Sequence, residues 1–344
     1  MGEGGELERL TAEADTARLT LRTASRASLI RATQARAHDL LDTIAAAIEA
    51  GDADGATAIL CGFFVPLIES DHAVEAETQL AGLLSREAEL RDPARRFQLH
   101  EVAYVEAFLK GQDSADDHCS ELFSIAEATG SDDLLARALT ARCRLGLRDE
   151  DAASVEADAA ALAALGERLD DRFHAGFAPH MLASLREMQD RPAEAVDLFV
   201  ESSRLFGEAG ADHLLLTEVF NLAACRLDLG HLDAARDGFL ETYLLMQQLD
   251  NHHLEPELLS CLATWMCDAG AADTAARLVG ASQAALRRHD RALYPSEAKA
   301  ADRTRHRLEQ ALGQAEFEVQ RLEGLTRTLD AAVDLVRLGP APAP

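Results

Sequence analysis

Apolar residues recur at three- and four-residue spacing along most of this chain, and short polar clusters interrupt them at intervals. Such spacing places apolar side chains on one face of a helix, so the pattern predicts helix after helix joined by brief turns. Residues 6 to about 50 read as helix with few breakers. Paired helices are expected next, at 52–69 with 73–90, 94–110 with 114–129, and 133–147 with 152–168. The clearest pairs are 172–189 with 192–208, 212–229 with 232–249, and 253–269 with 272–290. Segments 296–313, 314–322 and 328–338 leave the pairing and read as terminal capping helices. Pro192 and Pro256 fall at first-turn positions, where a missing N–H costs nothing. Gly130-Ser131-Asp132 and Gly210-Ala211-Asp212 each read as a helix stop followed by an N-cap.

The turns themselves repeat. Asp190-Arg191-Pro192-Ala193-Glu194-Ala195, Gly230-His231-Leu232-Asp233-Ala234-Ala235 and Gly270-Ala271-Ala272-Asp273-Thr274-Ala275 stand forty residues apart. A fixed period of this size marks an all-α solenoid, in which each helical hairpin covers the apolar face of the next. Upstream the period loosens: Gly111-Gln112-Asp113 is one residue out of step, and Arg148-Asp149-Glu150-Asp151 is ambiguous by about two. The expected organisation is an N-terminal helical segment over 1–50, repeats over 51–291, capping helices over 292–338 and a disordered tail or linker stump over 339–344. Within the first segment, Leu7, Leu10, Ala14, Ala17, Leu21 and Ala24 form a short heptad-like seam. The seam admits either a homodimer or a first helix packed on the solenoid.

Composition narrows the functional classes. Aromatic residues make up only 5%, while alanine and leucine dominate, which favours helix over sheet. Net charge is −27, from 60 acidic against 33 basic residues, an unsuitable balance for a duplex-binding footprint. The same acidity favours solubility and repels anionic lipid. The six cysteines show no CxxC pair and no histidine at zinc-finger spacing. Cys225 and Cys261 lie in apolar helical patterns and read as buried thiols in a reducing compartment. No stretch approaches the roughly 18 apolar residues of a membrane span, and the N-terminus lacks the basic start of a signal peptide. A cytoplasmic protein is expected, without cofactor, metal, nucleic acid or membrane.

The turn motifs carry a resemblance. Setting Gly230 on the loop glycine of a tetratricopeptide motif places Leu222, Ala223, Ala235 and Phe239 on its packing positions. Repeats of this greater length resemble the sensor arrays of large ATP-dependent LuxR-type and AfsR-type bacterial transcriptional regulators. Arg277-Leu278-Val279-Gly280-Ala281-Ser282-Gln283-Ala284-Ala285-Leu286-Arg287 is similar to their penultimate "RLLGAAEALR" element. Tyr294-Pro295-Ser296, Ala311-Leu312-Gly313-Gln314-Ala315-Glu316-Phe317, and Gly324 with Thr328-Leu329-Asp330-Ala331-Ala332-Val333 continue the likeness in order. It is good over 270–335 and extends from about 35. The resemblance implies a right-handed solenoid of tetratricopeptide-like hairpins serving as an effector or docking domain. Those regulators also carry nucleotide-binding and helix-turn-helix domains. No Gly-x-x-x-x-Gly-Lys-[Ser/Thr] occurs here, so ATP hydrolysis and DNA binding do not carry over, and the chain reads as an array alone, excised or stand-alone.

In tetratricopeptide hairpins the first helix lines the concave groove, so candidate ligand-contacting residues follow by register. They are Thr217 and Phe220 in one helix, Phe177, His180 and Ser184 one repeat earlier, and Glu257, Ser260 and Thr264 one repeat later. Arg137 and Arg144 come two repeats earlier, and with Arg148 could wall an anion, against ordinary pairing with Asp149, Glu150 and Asp151. Such a groove suits a protein partner or an amphipathic small-molecule effector. His174 and His180 are spaced unlike helical zinc ligands, and His252-His253 reads as a helix entrance. His180 or Glu257 could act in acid/base chemistry, but no orienting partner is evident. The basic run Arg287, Arg288, His289, Arg291, Arg303, Arg305, His306 and Arg307 reads as a salt-bridged helix face before it reads as a docking site. The expected function is non-catalytic ligand sensing or protein docking. The alternative is a small-molecule-binding protein or enzyme of a specialised-metabolite pathway, with the groove closed into a pocket.

Overall fold

The computed structural model describes residues 3–23, 25–289, 291–293 and 295–338. Ala24 of the seam, Asp290, Tyr294 and the tail 339–344 lie outside them. Among the described residues the chain is all-α, with eighteen α-helices and no strand. It divides into two compact units, Met1–Leu185 with Arg204–His213, and Arg186–Ser203 with Leu214–Pro344.

The first unit begins with α1 (Glu3–Thr20), α2 (Arg26–Gln34) and α3 (Ala37–Glu49), where the sequence predicts one nearly unbroken helix. No glycine or proline marks the first break. Thr23 Oγ1 instead donates to the Thr20 carbonyl and accepts from the Ser25 N–H, a side-chain turn that competes with helix. The hairpins follow: α4 (Ala53–Ile68) with α5 (Ala73–Ser85), α6 (Pro93–Leu109) with α7 (Ser114–Thr129), and α8 (Asp132–Arg148) with α9 (Ala152–Leu169). A 3-10 turn, Glu87–Glu89, ends the first of them. Neighbouring helices pack in chain order, α6 on α7, α7 on α8 and α8 on α9, which is the stacking of a helical solenoid. The seam of α1 is spent inside the chain. Leu10, Ala14 and Ala17 are buried against α4, where Gly62 leaves no room for a Cβ beside the Ala14 backbone.

Three helices then lead onward, α10 (Arg172–Met188), α11 (Pro192–Glu208) and α12 (Asp212–Asp228). The second unit continues with α13 (Leu232–Leu249), α14 (Glu255–Asp268) and α15 (Ala272–Arg288). It closes with α16 (Pro295–Leu312), α17 (Gln314–Gly324) and α18 (Leu329–Leu338), which pack on α14 and α15. The capping helices close this core with Leu308, Phe317, Leu329, Val333 and Val336.

Backbone conformation reveals a finer period than the turn motifs. Residues in the left-handed region fall at 150, 170, 190, 210, 230, 250 and 270, one every 20 residues. Each step is one helix and its turn, so two make the forty-residue repeat. Of the upstream turns that look loose in sequence, the one at Glu150 obeys the same count, while Gly111 stays one residue out of step. Glu150, Asp170, Asp190 and Asp250 occupy these positions without the freedom of glycine, which hides half of the ladder from a search for glycine.

Candidate ligand-binding cleft

The candidate residues divide between the two units. In the first, Arg137 of α8 is nearly buried and already neutralised. Its Nε donates to Glu101 Oε1 at 2.7 Å, a second nitrogen meets Glu101 Oε2, and Asp133 lies 3.5 Å away. Burial works against its charge, but Glu101 and Asp133 outweigh that and raise its pKa. Arg148 is held by Asp149 and Asp116, and Arg144 lies 5.8 Å from the Phe177 ring. The three arginines therefore do not form an open anion wall. Phe177 is only 6% exposed, packed edge-on to Phe173 and Phe206. His180 sits half-buried beside it, and Ser184 donates to the His180 carbonyl. His174 is buried, with Nε2 at 3.0 Å from Asp133, whose pKa falls to about 2 through that bond.

The first-helix face of this unit already has an occupant. Along α1 and its turn, Asp15 pairs with Arg95 of α6, and Arg18 reaches Glu101 at 3.0 Å. Arg22 then lies 3.8 Å over the Phe173 ring, and its carbonyl meets His213 Nδ1 at 3.3 Å. Arg137, an expected groove position, shares Glu101 with this segment.

In the second unit Phe220 is 5% exposed and packs on Phe239, so it belongs to the core, with Thr217 half-buried on the same helix. Register alone does not show what packs against each face of a helix. Ser260 fares differently, because it lines an open cleft of about 380 Å³ between α14, α15, α16 and residues 291–293, whereas Glu257 and Thr264 stand behind that lining, bonded to Arg291 and Thr304. Ser260 and Ala263 form one wall, Val279, Gln283 and Leu286 a second, and Ala301, Asp302 and Arg305 a third. Arg291 and Leu293 edge its mouth.

Electrostatics at the cleft are set by buried partners. Glu257 is 2% exposed and takes a 2.6 Å bond from Arg291, yet desolvation still raises its pKa. Arg305 pairs with Asp302 at 3.1 Å. Ser282 donates to the Pro256 carbonyl at 2.8 Å, and Thr304 meets Thr264 hydroxyl to hydroxyl at 2.9 Å. These hydroxyls tie helices together and are not poised by a general base. The cleft therefore offers apolar side chains beside the Ser260 hydroxyl, the Gln283 amide, the Asp302 carboxylate and two guanidinium groups already paired with Glu257 and Asp302, a lining that suits a small amphipathic molecule with a polar, hydrogen-bonding end.

The remaining candidates resolve as structure. Glu255 draws in Arg288 and His289, Asp268 holds Arg307, and His253 Nδ1 meets Asn251 at 2.8 Å. Cys225 is buried, Cys261 half-buried, and burial raises both thiols. No described helix is long and apolar enough to cross a membrane. Sequence reasoning missed Gln283, Arg291, Asp302 and Arg305 as one lining. Their only signal was the motif at Arg277–Arg287 and the basic run after it, which read as packing and as surface. No protein family matches the chain, and neither does any curated protein.

Proposed function

We propose that this chain is a non-catalytic recognition module that senses a small amphipathic effector through the cleft of its second unit. The observation that carries this reading is the cleft itself. It is open, of ligand size, and lined by apolar side chains beside Ser260, Gln283, Arg291 and Arg305. The resemblance to LuxR-type and AfsR-type sensor arrays points the same way and suggests a role in transcriptional regulation. Its motifs now have a physical reading: Gly280 and Gly324 let α15 and α17 touch, and that contact builds one side of the module. The effector expected has an apolar body and a polar, hydrogen-bonding head. Held hydroxyls at the cleft support binding without turnover.

An anionic amphipathic fluorophore, anilinonaphthalene sulfonate, tests the reading. Saturable binding at one site per chain is expected, and Ser260→Phe, which fills the cleft, should weaken it at least about tenfold, or roughly 1.4 kcal/mol, at unchanged melting temperature. Equal binding by the two proteins, or none by the unaltered chain, defeats the proposal.

A further inference from the structure

A second cluster lies in the first unit, where the 3-10 turn, α6 and α7 converge. Glu87 comes from the turn, His100 from α6 and Glu121 from α7, and one ligand atom from each lies within 4.8 Å of the other two. His100 is 4% exposed. Its Nε2 stands 3.1 Å from Glu87 Oε2 without hydrogen-bond geometry and has no other partner. A buried ring nitrogen left this way costs free energy unless something satisfies it. The opposite nitrogen, Nδ1, sits 3.0 Å from Nδ1 of His118, one turn before Glu121 on α7. When His100 donates that N–H, its Nε2 carries a bare lone pair, the form that coordinates a metal. A histidine ligand commonly donates its far N–H to an outer partner that fixes its ring and tautomer, and His118 stands in that position.

The carboxylates are prepared for a shared cation. Arg96 takes Oε1 of Glu87 and, at 3.2 Å, Oε2 of Glu121. This leaves Glu87 Oε2 and Glu121 Oε1 for another ligand, and two carboxylates against one guanidinium leave one net negative charge. One imidazole and two carboxylates are donors for a first-row divalent ion of borderline softness, whereas calcium and magnesium prefer oxygen alone. We propose that Glu87, His100 and Glu121 form a zinc-binding site, with water completing the coordination and His118 orienting the His100 ring. A bound ion would pin the turn after α5 to the α6–α7 hairpin.

The test uses the full chain stripped by chelator and titrated with Zn²⁺ by calorimetry, followed by thermal melts. One equivalent is expected to bind and to raise the melting temperature, since an ion that binds only the folded state stabilises it. Glu87→Gln and Glu121→Gln, both at half-buried positions, should each weaken binding at least about tenfold while retaining helical content. Arg96→Met frees both outer oxygens and should bind at least as tightly as the unaltered chain. A purely structural role for the cluster would not produce these opposite signs. His100→Gln tests the ring directly. Should that variant fail to fold, Co²⁺ replaces it as the probe, its visible spectrum in the unaltered chain expected to show nitrogen ligation that Glu87→Gln loses. The proposal is overturned if zinc binds the carboxamide variants as well as the unaltered chain, which is surface binding to an acidic protein, or binds neither.

Discussion

His213 shows how one side chain can make the first unit sensitive to acid. It sits at the start of α12 with its Nδ1 at the Arg22 carbonyl, and desolvation lowers its pKa to about 4, with Arg22 and Arg26 acting in the same direction. The backbone bond and Asp212 oppose the shift without reversing it. An imidazole whose pKa is lower folded than unfolded takes up its proton more readily in the unfolded chain. Stability from this group is therefore complete above its ordinary pKa of 6.5 and is lost as pH falls toward about 4. Urea midpoints measured at pH 7 and pH 5 should differ less in His213→Gln than in the unaltered chain, and equal differences would contradict the assignment. The environment of such a residue is not written near it in sequence, because its partner lies 191 residues away. The same limit explains Phe177 and Phe220. Their register on a first helix was legible, but the rings that bury them, Phe206 and Phe239, belong to other helices.

Among the elements, what was legible was whatever repeats. Helix bounds from α6 onward follow the apolar spacing closely, because each turn is announced by glycine, proline or a capping side chain such as Ser131. The break between α1 and α2 has only threonine and serine to announce it, and the apolar spacing runs on through it. Helix contacts without side chains are also silent in sequence. An added Cβ on Gly280 would come within 2.0 Å of the Arg321 carbonyl oxygen, and one on Gly324 within 1.9 Å of the Arg277 carbonyl oxygen. Both obstacles are backbone, so neither can swing aside. Gly280→Ala and Gly324→Ala should each cost about 3 kcal/mol through overpacking, read as lower urea midpoints. Because α15 and α17 touch through these two residues, the double variant should cost less than the sum of the singles. Gly82, with open space around it, supplies the control.

Taken whole, the molecule carries a net charge of −27, and its first helix with the turn after it reaches far along the chain. Asp15, Arg18 and Arg22 reach residues far along the chain, at Arg95, Glu101, Phe173 and His213. On a ribosome, therefore, Arg22 is made 191 residues before the partner of its last contact, His213. Closing so long a loop is entropically expensive, and contacts of wide sequence separation slow folding. Refolding should show a slow phase reporting on unit one, and removal of residues 1–23 should abolish that phase while leaving the hairpins from α13 onward unchanged in rate. Until Phe173 and His213 emerge, the nascent chain carries Arg22 without the ring and the imidazole that later hold it, an interval in which a chaperone would find its substrate.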